Sequence, residues 1–156
     1  MNNHVTPDGV IVIERVFDAP IDLIWQMWTQ AEHFKNWYGP QGVSVPKIDM
    51  DVRVGGKRLF CMEMQTPNGN RRMWLAGEYT EVMPNQRLVY TESMADEQGN
   101  ALSPATVVTV VLEDVGGRTK MVMTQAGMPE GQEGASAGWD QAFTKMAAYA
   151  VRQIAG

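Results

Sequence analysis

Between Val43 and Ala126 the chain is cut by turn residues into lengths that only strands fill. Gly55-Gly56, Pro67-Asn68-Gly69, Pro84-Asn85 and Gly116-Gly117 are the punctuation. Glycine and asparagine reach the backbone angles that tight turns require, and proline presets one of them, so each group reads as a reversal of the chain. The segments left between them predict strands over 43–52, 57–65, 71–82, 86–95, 105–114 and 118–127. Strands joined by short turns pair with their neighbours, which makes an antiparallel meander. A longer polar connection, Asp96 to Pro104, interrupts it once.

Before the meander, Gly9 to Phe17 is rich in Val and Ile and predicts a further strand that pairs at one end of the sheet, for about seven strands in all. The period then changes. Asp18-Ala19-Pro20 reads as a helix entry, with Asp18 or Ala19 at the cap and Pro20 in the first turn, and Leu23, Ile24, Met27 and Trp28 follow at helical spacing. Thr29 and Glu32 have the spacing of a capping box, which predicts a second short helix ending near Trp37, ahead of Gly39-Pro40. At the other end, Trp139, Ala142, Phe143, Met146, Ala150 and Ile154 fall on one stripe of a helix expected from Glu130 to Ala155.

The reading is α+β: a curved antiparallel sheet wrapped around a long C-terminal helix, with two short N-terminal helices closing the remainder of the concave face. Residues 1–9 are expected to be disordered or extended, and 10–155 to form a single domain. With 156 residues, 44% of them hydrophobic, the chain is long enough to bury roughly 70% of its unfolded surface. Trp25, Trp28, Phe34, Trp37 and Tyr38 crowd the helix pair and either fill the space under the sheet or line a cavity there. Twelve methionines, many on predicted strands, suit a surface that accepts irregular apolar shapes and equally suit core packing.

Composition narrows the partners. A net charge of −5 and the lack of a dense Lys/Arg cluster argue against nucleic acid. No apolar run approaches the length of a membrane span and no signal peptide is legible, so a cytoplasmic protein is expected. Two histidines, His4 and His33, and one cysteine, Cys61, provide neither a catalytic triad nor a metal site, and neither metal nor cofactor is expected. Gly55-Gly56-Lys57 is followed by a strand and so does not form a phosphate loop.

Strand alternation singles out two charged positions. If Phe60, Met62 and Met64 face inward, so does Arg58; if Tyr90 and Met94 do, so does Glu92. A charge inside would need a partner or a ligand, whereas at a strand end its head would sit in water.

The run Arg15-Val16-Phe17-Asp18-Ala19-Pro20, with Trp25 and Trp28, then Trp37-Tyr38-Gly39-Pro40, Asp51-Val52-Arg53-Val54-Gly55-Gly56, Gly77-Glu78-Tyr79, Arg87-Leu88-Val89-Tyr90 and Gly138-Trp139 resembles the Hsp90-ATPase-activator-homologue-like family of the START/Bet v 1-like superfamily. Order and spacing carry the resemblance, which covers roughly residues 10–152. It implies a helix-grip fold with a hydrophobic cavity. Members of the wider superfamily bind lipids, sterols and polyketide-like aromatics, a few act as cyclases, and the eukaryotic namesake stimulates a chaperone ATPase.

Three functions are therefore expected in order. The first is a non-enzymatic binding protein for a small apolar or aromatic ligand. Its wall would be Trp28, Phe60, Met62, Tyr90, Met121, Met123, Trp139, Phe143 and Met146, with Arg58 and Glu92 as polar anchors. The second is an enzyme of cyclase or hydrolase type in which Arg58, Glu92 and Tyr90 orient a substrate. The third is a module that acts on a chaperone partner.

Overall fold

The computed structural model describes residues 2–128 and 134–155. Eight strands form one antiparallel sheet: β1 (Asn2–Val5), β2 (Ile11–Phe17), β3 (Val43–Met50), β4 (Lys57–Thr66), β5 (Gly69–Met83), β6 (Arg87–Ala95), β7 (Thr106–Val115) and β8 (Arg118–Ala126). Two short helices, α1 (Ile21–Thr29) and α2 (Ala31–Phe34), lie between β2 and β3, and α3 (Gly134–Ala155) closes the chain. The helix start expected at Glu130 lies outside the described residues.

The strand order is β1-β2-β8-β7-β6-β5-β4-β3. The meander from β3 to β8 thus runs across the sheet in sequence order, and β2 returns to pair with β8, Ile13 opposite Met123. This is the α+β helix-grip architecture, with one strand more than the seven expected. The eighth is β1, which pairs Asn3 with Ile13 and His4 with Val12 at the sheet edge. Its polar sequence carries no strand signal, so only the pairing identifies it. At the other edge β3 contains Pro46, and the register with β4 shifts between Ser44 and Lys47. An edge tolerates this because a missing backbone N–H there breaks no ladder bond.

Two expected helix ends differ. Pro20, not Asp18 or Ala19, occupies the N-cap of α1, with no side-chain cap bond, and Asp18 instead lies 3.8 Å from Arg118. The capping box at Thr29 does not form. Thr29 is the last residue of α1 and its hydroxyl donates to the carbonyl of Trp25 at 2.8 Å, while Gln30 starts α2 without a side-chain cap. The two helices are nearly continuous, so the Thr hydroxyl finds a carbonyl one turn back before it meets an orphan N–H.

The concave face of the sheet is covered by α3 together with α1 and α2. Trp139, Ala142, Phe143, Met146, Tyr149 and Ala150 are the buried side of α3, but Ile154, expected on the same stripe, is exposed. Ion pairing fixes the helix: Arg15 on β2 reaches Asp140 at 2.6 Å and Thr144 at 3.2 Å. On its other flank Lys145 donates to the carbonyls of Pro40 (3.0 Å) and Tyr38 (3.4 Å), and Gln141 accepts from the Gln41 amide. The Lys145 and Gln141 contacts hold the stretch after α2 against α3, which sets the position of Tyr38.

Candidate functional site

Alternation brings the even-numbered residues of β4 and β6 to the concave face. Arg58 and Glu92 meet there: Nη1 of Arg58 donates to Oε1 of Glu92 at 2.8 Å, with Arg58 1% exposed and Glu92 8%. The guanidinium lies among aromatic rings, 3.7 Å from the centroid of Tyr90 and 5.1 Å from that of Phe60, with Phe34, Tyr79 and Tyr38 within 6 Å. A cation so enclosed gains from the negative ring faces, by about 2 kcal/mol for a desolvated contact. Its Nε–H also donates to the Tyr79 hydroxyl at 3.3 Å.

Tyr38 completes the cluster. Its hydroxyl is 3.0 Å from that of Tyr90 and 3.2 Å from both carboxylate oxygens of Glu92. A phenol has one hydrogen, so the consistent chain is Tyr90 to Tyr38 to Glu92, with the carboxylate as final acceptor. Burial holds the phenols of Tyr38, Tyr79 and Tyr90 above their ordinary value, and the Glu92 charge pushes each the same way. For Arg58 burial opposes the charge, but Tyr90 and Glu92 outweigh it and hold the guanidinium firmly protonated.

Beside this cluster lies a cavity of about 430 Å³, between β4, β5 and β6 on one side and the first turns of α3 on the other. Tyr38, Met62, Leu75, Glu92 and Trp139 line its inner part, and the exposed Met73 and Met94 mark its mouth. A polar line crosses its wall: Trp139 Nε1 donates to Gln125 Oε1 at 2.7 Å, Gln125 Nε2 to Thr106 Oγ1 at 3.0 Å, and Thr106 Oγ1 to the carbonyl of Glu92 at 3.1 Å. Three neighbouring strands supply Glu92, Thr106 and Gln125.

Of the residues singled out in the sequence, Met62, Glu92 and Trp139 border the cavity. Arg58 stands behind Glu92, away from it. Trp28, Phe60, Tyr90, Met121, Met123, Phe143 and Met146 are all at most 1% exposed and pack the core beneath. There Trp28 touches Trp37, Trp139 and Phe143, with ring centroids 4.7, 6.2 and 6.0 Å apart. The indole N–H of Trp28 is buried and has no hydrogen-bond partner among the described residues. Sequence reasoning missed Tyr38 as a polar group, and Thr106 and Gln125 entirely. Gln125 shares the alternation of Met121 and Met123 on β8, a signal that was available; Tyr38 is placed by the helix pair, which no strand pattern reaches.

Other candidates sit elsewhere. Cys61 is buried on the opposite face of β4, its thiol pushed up by burial. His33 is half-buried, its Nδ1 2.8 Å from the Tyr149 hydroxyl, and His4 lies on β1. Among the described residues no group of three His, Cys, Asp or Glu is placed to hold a metal, and no helix is long and apolar enough to cross a membrane.

The fold recurs in solved structures. A protein from Arthrobacter aurescens superposes with a TM-score of 0.83 at 22% identity, over 97% of this chain and 91% of its own. One from Nitrosomonas europaea gives 0.81 at 22%, over 97% and 100%. The AHSA1 protein of Silicibacter pomeroyi gives 0.79 at 21%, over 93% and 99%. No curated protein matches the chain. At the level of sequence, residues 18–150 match the family model described as Activator of Hsp90 ATPase homolog 1-like protein. The match spans most of the chain, and with the shared fold it places this protein in the Activator of Hsp90 ATPase homolog 1-like family.

Proposed function

We propose that the protein is a non-enzymatic binding protein of the cytoplasm that takes a small, mostly apolar ligand into the cavity beside α3. The single observation that supports this best is the cavity's composition. Methionine, leucine, proline, alanine, glycine and tryptophan make up most of its wall, around a few convergent polar groups. Its volume of about 430 Å³ is within the range of small-molecule sites. Met62, Met73, Met94 and Met128 give it an adaptable apolar surface. The Arg58 and Tyr90 side chains, which an enzyme reading would set against a substrate, are 1% exposed and engaged with each other and with Glu92.

Native mass spectrometry of freshly purified protein, followed by a thermal-shift screen of fatty acids, flavonoids and smaller aromatics, tests the proposal. A ligand that binds only the folded state raises its melting temperature, and the rise grows with ligand concentration. A co-purified molecule or such a rise supports the reading, and neither across the panel contradicts it. A second reading, interaction with a chaperone of Hsp90 type, is favoured by the family membership and by the exposed methionines Met64, Met73 and Met94 on neighbouring strands. Capture of that chaperone by the ligand-free protein would bring it forward.

A further inference from the structure

We propose that the cavity selects ligands whose polar group is a hydrogen-bond donor, a hydroxyl or a protonated amine, with the Glu92 carboxylate as receiving group, and that it rejects carboxylates. The proposal rests on the binding reading above and specifies the chemistry of that same site.

Glu92 is the one charged residue among the described residues that line the cavity. The cation that balances it does not reach the ligand space: Arg58 is 1% exposed, with the ring of Tyr90 at 3.7 Å and one guanidinium N–H already given to Glu92. An anionic ligand would therefore meet a carboxylate first, with the guanidinium screened behind it. Two like charges in a poorly hydrated space repel far more strongly than in water.

Glu92 has acceptor capacity to spare. A carboxylate offers about four lone-pair sites. Among the described residues two donors use it, Nη1 of Arg58 at 2.8 Å and the hydroxyl of Tyr38, which is 3.2 Å from each oxygen. Among the described residues Oε2 receives only the shared Tyr38 contact, yet the side chain borders the cavity. A buried acceptor that is part-filled favours a partner able to donate. Tyr38 cannot serve further, because its single hydrogen is committed to Glu92 once Tyr90 donates to it. On the adjoining wall Gln125 donates one amide hydrogen to Thr106 and accepts from Trp139, which leaves its second N–H as a donor. A hydroxyl suits both kinds of group, since it donates and accepts; an amine suits Glu92.

The test uses four naphthalene probes of one skeleton: ethylnaphthalene, naphthylethanol, naphthylethylamine and naphthylacetate. Dissociation constants are measured on the wild-type protein and on Glu92→Gln, which keeps an acceptor for Arg58 and Tyr38 but removes the charge. The alcohol and the amine should bind the wild type about tenfold to a hundredfold more tightly than ethylnaphthalene, the strength of a charge-assisted bond. Naphthylacetate should bind more weakly than ethylnaphthalene. In Glu92→Gln the advantage of the amine should fall to less than about threefold and naphthylacetate should gain. If Glu92→Gln does not fold, the double variant Arg58→Met/Glu92→Leu replaces it, and ethylnaphthalene should then be the best of the four. Tightest binding by naphthylacetate, with ethylnaphthalene still bound, would overturn the donor selectivity and leave the cavity reading standing. No binding by any probe would overturn the cavity reading and the selectivity with it.

Discussion

Arg58 is a charge with no route to water, held by Glu92 at 2.8 Å and by the face of Tyr90. Removing one partner of such a pair costs more than removing both, because the survivor stays buried without compensation. Arg58→Met alone should therefore lower stability by about 3–5 kcal/mol, whereas Arg58→Met with Glu92→Leu should recover most of that loss. Urea unfolding of the two single variants and the double variant measures the coupling; a double variant whose loss equals the sum of the two single losses would show that the pair does not act as a unit. Alternation in the sequence was enough to bring these two residues to one face, since Arg58 precedes Phe60 and Met62 by even steps, as Glu92 follows Tyr90. It did not reveal that Arg58 lies behind Glu92. That depends on how far each side chain reaches across two strands, and on Tyr38, fifty-two residues from Tyr90 in the chain but 3.0 Å from it in space.

At the scale of elements, the strands were legible because the turns that bound them are local chemistry. The expected 57–65, 86–95 and 118–127 compare with β4 (Lys57–Thr66), β6 (Arg87–Ala95) and β8 (Arg118–Ala126). β1 was not legible, because a polar strand at an edge owes its form to the neighbour it pairs with. The capping box failed for a related reason: its motif is local, but α1 and α2 run nearly end to end and leave it no free helix start. One glycine governs how β5 and β6 fit. A Cβ on Gly77 would lie 1.7 Å from the carbonyl oxygen of Thr91, just before the pairing shifts register between Tyr79 and Glu81. Gly77→Ala must push the two strands apart and should cost at least about 2 kcal/mol. Gly42 (φ +86°) meets nothing within 4 Å, so Gly42→Ala should cost only about 1 kcal/mol from backbone strain. Thermal unfolding of the pair separates close contact from conformational strain, and equal losses would contradict the contact argument.

For the molecule as a whole, the buried phenols link stability to alkaline pH. Tyr38, Tyr79 and Tyr90 are held above their ordinary value of 10.0, mainly by burial. Above pH 10 the unfolded chain releases these protons while the folded protein retains them, so the stability they contribute is complete below pH 10 and declines above it. The slope should reach about 4 kcal/mol per pH unit when all three take part. Phenolate absorbance from these tyrosines should then rise together with the loss of the circular dichroism signal; a rise that precedes unfolding would contradict the linkage. The sequence conveyed the sheet and the gripping helix, but left Arg58 and Glu92 open between an inward charge with a partner or ligand and a strand end in water, and did not convey which side chains border open space, since a cavity is what packing leaves over. That distinction bears directly on the central claim, that this protein binds a ligand beside α3. Methyl NMR of the methionines under titration with naphthylethanol tests it most directly. Met62, Met73, Met94 and Met128 line the cavity, whereas Met27, Met121, Met123 and Met146 are fully buried in the core. Shifts are expected for the first four and little change in the second four. Shifts confined to the second four, or none at saturating probe, would contradict it.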